Sequence, residues 1–296
     1  MDTTVQHLLF IINPQSGSKK TNDYQQLVKQ YFEALQHKIT IYTLQGKNDV
    51  PAIKKLIANT NPHKMIAVGG DGTLNLVAEI LLGSKTLMGI IPAGSANGMA
   101  KELGIPENFN EAMLLVVNGT GRATDLISIN NSSISLHLSD LGLNARLVKY
   151  FEKDNLRGKL GYAKVAFKIF WERRNMRVTI TANGKKISRV AFMVVLANAS
   201  KYGTGAAINP IGNLFDGLFE IVIVRKLAVL EILKMWFKPK PFKKENIEII
   251  QATQVLVETR RGVHFQVDGE YKGKLTRVTA KILAGKLQLI VPDNYK

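Results

Sequence analysis

Apolar residues follow two different rhythms along this chain, and the change of rhythm divides it. In the first 120 or so residues, short continuous apolar runs alternate with stretches of helical spacing. Leu8–Ile12 is unbroken and reads as a buried strand; Met65–Val68 reads as another short buried strand, and Ile39–Leu44 and Met88–Ile91 as two more strands. Between the first two, Tyr24, Leu27, Tyr31 and Leu35 recur at helical spacing within Asp23–His37. Asn48 and Asp49 can cap a second helix, with Pro51 in its first turn and Ile53 and Ile57 on its inner face. A third helix is predicted over Thr73–Leu82, stopped by Gly83, and another over Glu111–Val117.

Strands alternating with helices predict a doubly wound, mostly parallel α/β sheet with helices on both faces. In such sheets ligands bind at the carboxyl ends of the strands. Three turns rich in small and polar residues follow three of the strands: Asn13-Pro14-Gln15-Ser16-Gly17-Ser18, Gly69-Gly70-Asp71-Gly72-Thr73 and Pro92-Ala93-Gly94-Ser95-Ala96-Asn97-Gly98. All three should open on one edge of the sheet. The middle turn, continued through Leu74 and Asn75, organises the chain. Its glycines let a ligand approach the backbone, and amides at a helix start favour a bound anion such as phosphate. Asp71 could hold a metal ion on a polyphosphate or cap the helix that starts at Thr73.

From about Arg122 the pattern becomes short alternating segments. Thr124–Ile129 and Ile134–Leu138 flank Asn130-Asn131, and Arg177–Thr181 and Lys185–Arg189 flank Asn183-Gly184; both pairs read as hairpins. Phe192–Ala197, Leu218–Val224, Gln254–Glu258, Val263–Val267, Arg277–Leu283 and Lys286–Val291 are further predicted strands. Helical inserts are expected near Lys159–Glu172 and Leu227–Phe237. The expected organisation is an α/β domain over residues 1–125 and an antiparallel β-sandwich over 126–285.

Composition narrows the chemistry. The 296 residues contain no cysteine, which removes disulfides, thiolate nucleophiles and Cys-based zinc sites. The five histidines are scattered without metal-ligand spacing. No signal peptide and no 20-residue apolar span is evident, so a soluble, cytoplasmic protein is expected. The net charge of +17 suits nucleic acid, an anionic membrane face or phosphorylated ligands. In Arg225–Lys244, seven basic residues are interleaved with Leu227, Leu230, Leu233, Trp236 and Phe237. That stretch suits a membrane interface and equally a helix covering the sandwich with a basic loop after it. A P-loop, a G-x-G-x-x-G fingerprint, kinase H-R-D and D-F-G pairs and a G-x-S-x-G elbow are all absent. Two acidic spots stand out, Asp216-Gly217 before a strand and Asp268-Gly269-Glu270 after one. Both fit turn chemistry, and Glu270 could be presented into a cleft as a general base.

With these pieces in view the chain resembles the diacylglycerol kinase catalytic family, which includes bacterial soluble lipid kinases, sphingosine kinases and ceramide kinases. The matching pieces are Asn13-Pro14-Gln15-Ser16-Gly17, Gly69–Asn75, Pro92–Asn97, Asp216-Gly217 and Asp268-Gly269-Glu270, in family order. A G-G-D-G turn alone is shared with NAD kinases and phosphofructokinases; the ordered set is more specific.

The resemblance implies transfer of the γ-phosphoryl group of ATP, with Mg²⁺, to a lipid hydroxyl. The nucleotide would lie between the α/β domain and the sandwich. Gly69, Gly70, Asp71, Gly72, Thr73, Leu74 and Asn75 would cradle its phosphates, with Asn13, Ser16, Thr43, Ser95 and Asn97 nearby. Asp71 would act through Mg²⁺ or on the phosphates, and Glu270 would take the proton from the lipid hydroxyl. A structural metal in some bacterial members sits at a turn like Asn213–Leu218, which nominates Asn213, Asp216 and Leu218. The last strand, about 286–296, would return to the first domain. The partners implied are ATP and a lipid in an anionic membrane, met peripherally, with no nucleic acid; a homodimer stays open. One departure matters: many bacterial members have Gly-Thr-x-Asn-Asp where this chain has Gly94-Ser95-Ala96-Asn97-Gly98. That version is closer to the sphingosine and ceramide kinases. It keeps a sphingoid base beside diacylglycerol as acceptor, with Asp140 as a partner for its ammonium. A kinase of a soluble acceptor such as NAD, and a non-catalytic lipid- or nucleic-acid-binding protein, are the alternatives.

Overall fold

The computed structural model describes residues 5–17, 23–154, 175–202, 205–226, 242–293 and 295, with the backbone alone for 147 and 150–154. The expected helices at 159–172 and 227–237, and with them Trp236 and Phe237, lie outside the described residues. The chain forms two compact units, Met1–Thr124 with Gly285–Lys296, and Asp125–Ala284.

The first unit is a parallel α/β sheet. Its strands are β1 (His7–Ile12), β2 (Lys38–Thr43), β3 (Lys64–Gly69) and β4 (Leu87–Pro92). The final strand of the chain, β14 (Glu270–Ile290), adds its last residues beside β4 through Leu289 and Met88, giving the order β14-β4-β3-β1-β2. These four pairings are parallel. β3 is buried along its whole length, as a central strand covered on both faces must be.

Helices α1 (Tyr24–Phe32), α2 (Asp49–Thr60), α3 (Asp71–Leu81), α4 (Gly98–Glu102) and α5 (Phe109–Asn118) make the connections. Asp23 caps α1 by accepting from the amides of Gln25 and Gln26 at 3.0 and 3.2 Å, and Asn108 caps α5 in the same way. Side chains alternate across the strands, so Leu8, Phe10 and Ile12 share one face with Val28 and Phe32 of α1 and Met113 and Val116 of α5. Phe10 meets Phe32 edge-on with ring centroids 5.7 Å apart. Lys64 is buried at the start of β3, and its ammonium donates to the carbonyls of Val116 and Val117 at 2.9 and 2.7 Å. It thereby satisfies carbonyls that the end of α5 leaves open.

The second unit is an antiparallel β-sandwich. Its elements are the end of β5 (Gly121–Ile129), β6 (Ser133–Ser135), β7 (Leu138–Gly142), α6 (Leu143–Asp154), β8 (Met176–Ala182), β9 (Lys185–Ala191), β10 (Met193–Ala197), β11 (Phe219–Val224), β12 (Ile247–Ala252), β13 (Gln254–Val267) and β14 as far as Ala284. Strands run β12-β11-β10-β7-β13-β14; β8 attaches to β13, and β9 pairs with β8. The predicted hairpin turns have the left-handed backbone such turns need, at Asn130 and Asn131 and at Asn183 and Gly184.

Three expectations need correction. Gln254–Glu258 and Val263–Val267 are one strand, β13, whose first half pairs with β8 and whose last residues pair with β7. A bulge joins the halves: towards β14, the four residues Thr259–Gly262 stand opposite Thr276. Such bulges let one strand serve two sheets. Arg277–Leu283 and Lys286–Val291 are likewise one strand, β14, with Gly285 at φ +60 where it passes between the units. Ile134–Leu138 divides into β6 and β7, because the amides of residues 136–138 turn to a side chain, Asp268, instead of a strand. Helix α6 was not expected, although Leu143, Leu147 and Phe151 carry its spacing in the sequence.

Candidate functional site

In the first unit the chain steps from β1 outward to β2, then returns to β3 on the other side of β1. The reversal lies between β1 and β3, where doubly wound sheets open a crevice at their carboxyl ends. Asn13 spans it. Its amide donates to the Val68 carbonyl at 3.0 Å, and its Nδ2 donates to Thr73 Oγ1 at 3.2 Å.

The neighbouring loops touch through their glycines. The Ala93 amide donates to the Gly69 carbonyl at 2.9 Å. A Cβ on Gly94 would lie 2.5 Å from Gly70 Cα, and one on Gly17, at φ +81, would lie 2.8 Å from the Ala93 carbonyl oxygen. These glycines let three backbones converge where any side chain would separate them. Gly72 differs: it is exposed, and a Cβ there would meet nothing within 4 Å. The open space lies in the first turn of α3, whose N-cap Gly70 supplies no capping side chain. A helix start with uncapped amides and free space beside it can take phosphate oxygens.

Asp71 does not cap its own helix. Its Oδ2 accepts from the Gly98 amide at 3.0 Å and its Oδ1 from the Met99 amide at 3.1 Å, so it caps α4. Asn97, at φ +51, accepts from the Gly94 amide at 2.8 Å and closes the third loop on itself. Ser16 donates its amide to the Asn13 carbonyl, and Ser95 is exposed at the tip of the third loop. Leu74 is buried and Asn75 half-buried on α3. Thr43 ends β2, next to Ile12, and accepts from Gln25 Nε2 at 2.7 Å. Asn13, Ser16, residues 69–75, Ser95 and Asn97 thus gather on one edge of the sheet, with Thr43 one strand away.

In the second unit, Val267 pairs with Glu270, so Asp268 and Gly269 form a two-residue turn, both at positive φ. The Asp268 carboxylate accepts from Ser135 Oγ at 2.8 Å and from the amides of Leu136, His137 and Leu138 at 2.7, 3.1 and 2.9 Å. Gln266 holds the other side of the turn. Its Oε1 accepts from the Gly269 amide at 2.6 Å, while its Nε2 donates to Asp140 Oδ2 at 2.5 Å. Asp140 is fully buried and also accepts from Asn144 Nδ2 at 2.6 Å and the Ala145 amide at 2.8 Å. Burial pushes its carboxyl up to about 6, against the pull of those donors. It is therefore a brace for the turn, and not an open partner for a lipid ammonium. Glu270, beyond this braced turn, is exposed and accepts from Lys272 Nζ at 2.8 Å.

Asp216 is exposed, and its Oδ1 accepts from the Leu218 amide at 3.0 Å; Asn213 Oδ1 accepts from the Phe215 amide at 3.1 Å. The Gly217 amide donates to Asp125 Oδ2 at 2.6 Å, which brings a second carboxylate to this turn. Among the described residues no three His, Asp or Glu side chains gather as a metal cluster. Sequence reasoning missed Gln266, Asn144 and Asp125. The available signal was a single glutamine set between Phe265 and Val267.

Comparison with known proteins agrees with this architecture. Residues 7–129 match the diacylglycerol kinase catalytic domain, and residues 139–291 match the YegS C-terminal NAD kinase β-sandwich-like domain. The chain is 26% identical over 276 residues to a diacylglycerol kinase of Bacillus subtilis, covering 90% of each. It is 25% identical over 299 residues to a protein of Yersinia enterocolitica named "probable lipid kinase YegS-like", covering 97% of this chain and 98% of that one. The crystal structure of a diacylglycerol kinase from Bacillus anthracis superposes with a TM-score of 0.77 at 20% identity, covering 98% of both chains. The α/β unit with three stitched loops, followed by this sandwich, places the chain in the diacylglycerol kinase catalytic-domain family with its YegS-type C-terminal domain.

Proposed function

We propose that this protein is an ATP-dependent lipid kinase, transferring the γ-phosphoryl group to a lipid hydroxyl at an anionic membrane surface. The observation that carries the reading is the crevice edge, where three backbones converge and the space beside Gly72 stays open. Phosphoryl transfer asks little covalent chemistry of the protein; it asks for positioning and for neutralisation of phosphate charge. Backbone amides at the start of α3 meet both needs without a P-loop.

In the proposed step, the acceptor oxygen forms a bond to the γ-phosphorus. The bond from that phosphorus to the β–γ bridging oxygen breaks, and ADP leaves with the electron pair. The hydroxyl proton passes to the carboxylate of Glu270. Asp71 braces the second loop against the third and contributes negative charge beside the phosphate space. Each of its oxygens accepts one amide, and a carboxylate oxygen has further lone pairs. That fits Mg²⁺, which commonly takes one or two carboxylates together with phosphate oxygens and water. Bound there, Mg²⁺ would neutralise phosphate charge. At the Asn213–Leu218 turn, the nearness of Asp125 and Asp216 supports a structural cation in the same oxygen-rich sense.

A peripheral membrane role draws on the net charge of +17, and no helix among the described residues is long and apolar enough to cross a membrane. The test is incubation with labelled ATP, Mg²⁺ and mixed micelles carrying diacylglycerol, sphingoid bases, ceramide or phosphatidylglycerol. Label in one lipid class is expected. Label in none of them, with label in NAD, would move the assignment to a soluble acceptor.

A further inference from the structure

A pocket of about 450 Å³ opens in the second unit, between α6 and the bulged part of β13. Arg146 and Lys149 of α6, Arg177 of β8, Arg260 and Arg261 of the bulge and Lys274 of β14 all line it, and among the described residues no aspartate or glutamate does. The bulge explains how the two adjacent arginines come to line one pocket. Residues Thr259–Gly262 leave the β14 ladder, and Thr259 Oγ1 donates to the Arg261 carbonyl at 2.9 Å, which fixes the loop of the bulge.

Burial and the positive charges act together on one neighbour. His264, also in the lining, is held down to about 4 by its burial and by Lys149, Lys274 and Arg146. Its Nδ1 bonds Tyr271 Oη at 2.7 Å, and Lys149 lies over the Tyr271 ring at 5.7 Å. One wall is apolar, built by Leu143, Phe192 and Val263.

We infer that this pocket binds the phosphate of an anionic phospholipid headgroup, and so seats the second unit on the membrane at a defined point. Four of the six cations are arginines, whose planar forks match phosphate oxygens in pairs. The apolar wall suits the glycerol end of a lipid better than the repeated charges of a nucleic acid. The volume is in the range of small-ligand pockets. The inference rests on the lipid-acceptor reading only for the presence of a membrane; it assigns no step of phosphoryl transfer to these residues.

The test is co-sedimentation with phosphatidylcholine vesicles carrying roughly a third phosphatidylglycerol, at ~0.15 M salt so that distant charges are screened. The pocket variant is Arg260→Gln with Arg261→Gln. The control is Lys185→Gln with Lys186→Gln, two exposed lysines on β9 outside the pocket. The pocket variant should lose about 30-fold in vesicle affinity and the control less than about 3-fold. Melting temperature is measured for each protein, and Lys274→Gln alone serves as a milder variant if the double variant does not fold. Equal losses in variant and control overturn the pocket. So does a variant that binds vesicles normally but has lost its thermal response to inorganic phosphate, which assigns the site to free phosphate. Loss of single-stranded oligonucleotide binding with vesicle affinity intact overturns it in favour of nucleic acid. Lipid phosphorylation in detergent micelles is read separately. The pocket variant should retain it, and its absence from the wild type would sink the kinase reading without touching the vesicle result.

Discussion

Asp71 belongs to α3 but caps α4: its Oδ2 takes the amide of Gly98 at 3.0 Å, across from the loop that follows β3 to the loop that follows β4. The carboxylate therefore has a structural duty as well as the proposed charge duty, and the two can be separated. Asparagine caps helices about as well as aspartate, whereas alanine costs roughly 0.5–2 kcal/mol at a cap. Here both carboxylate oxygens are used, so Asp71→Asn keeps an acceptor for only one of the two amides; it should cost about 1 kcal/mol of stability and lose at least 100-fold in turnover, an effect of about 3 kcal/mol on the barrier. Asp71→Ala should lose both. Urea unfolding and steady-state kinetics on the pair decide it; an Asn variant with wild-type turnover leaves Asp71 as a cap alone.

Two glycines one loop apart should respond in opposite ways. Gly94→Ala drives a Cβ to 2.5 Å from Gly70 Cα, backbone against backbone, so the loops must part. Overpacking of this kind costs about 1–3 kcal/mol, and nucleotide turnover should fall with it. Gly72→Ala meets nothing within 4 Å and lies in a helix, where alanine is favoured by up to ~1 kcal/mol. It should melt no lower than the wild type, yet raise the KM for ATP about tenfold if phosphates occupy the open space. Unchanged KM would place the phosphates elsewhere.

Lys64→Met removes a buried ammonium from the carbonyls of Val116 and Val117 at the end of α5. Charge-assisted hydrogen bonds of this kind are worth about 1.5–3 kcal/mol. The expected loss of stability is of that size, and hydrogen exchange should quicken in the last turn of α5. A variant as stable as the wild type would show that the helix end finds other partners.

Stability should carry two opposing pH dependences. The Asp140 carboxyl stands at about 6 in the folded protein, above its ordinary 3.8. Between those values the folded state holds more protons than the unfolded one, so the contribution is complete below 3.8 and is lost as pH rises through 6. The change is on the order of 3 kcal/mol. His264 is depressed from 6.5 to about 4, so in an overlapping window its contribution grows as pH rises. Asp140→Asn should remove the first dependence, so the stability difference between wild type and variant should shrink as pH rises from about 4 to 6. Urea titrations at steps across that range check it; a difference between wild type and variant that does not change with pH contradicts the assignment.

Much of the first unit was legible in the sequence, because its inner strands are buried on both faces and read as apolar runs, as in Leu8–Ile12 and Met65–Val68. The three loops were legible for the same reason: small residues directly after such runs mark carboxyl ends on one edge. What was not legible is what the side chains do across the fold. Asp71 lies 27 residues from its partner Gly98, and Asp268 lies 130 from Leu138. No local pattern carries such a pairing. The second unit was harder still. A bulge at Thr259–Gly262 broke the alternation of β13, so one strand read as two. Gly285 did the same for β14.

The exposed turn that carries Glu270 bears on the central claim most directly. Glu270→Gln removes one surface ion pair with Lys272, which is worth little, so the fold should be unaffected. The decisive measurement is transfer of label from ATP to micellar lipid by this variant beside the wild type, with nucleotide affinity followed in parallel. The expected result is a labelled lipid for the wild type and a loss of at least about 1000-fold for the variant, at unchanged ATP affinity. A variant that labels lipid as fast as the wild type would contradict the role of Glu270, and a wild type that labels no lipid would contradict the kinase assignment itself.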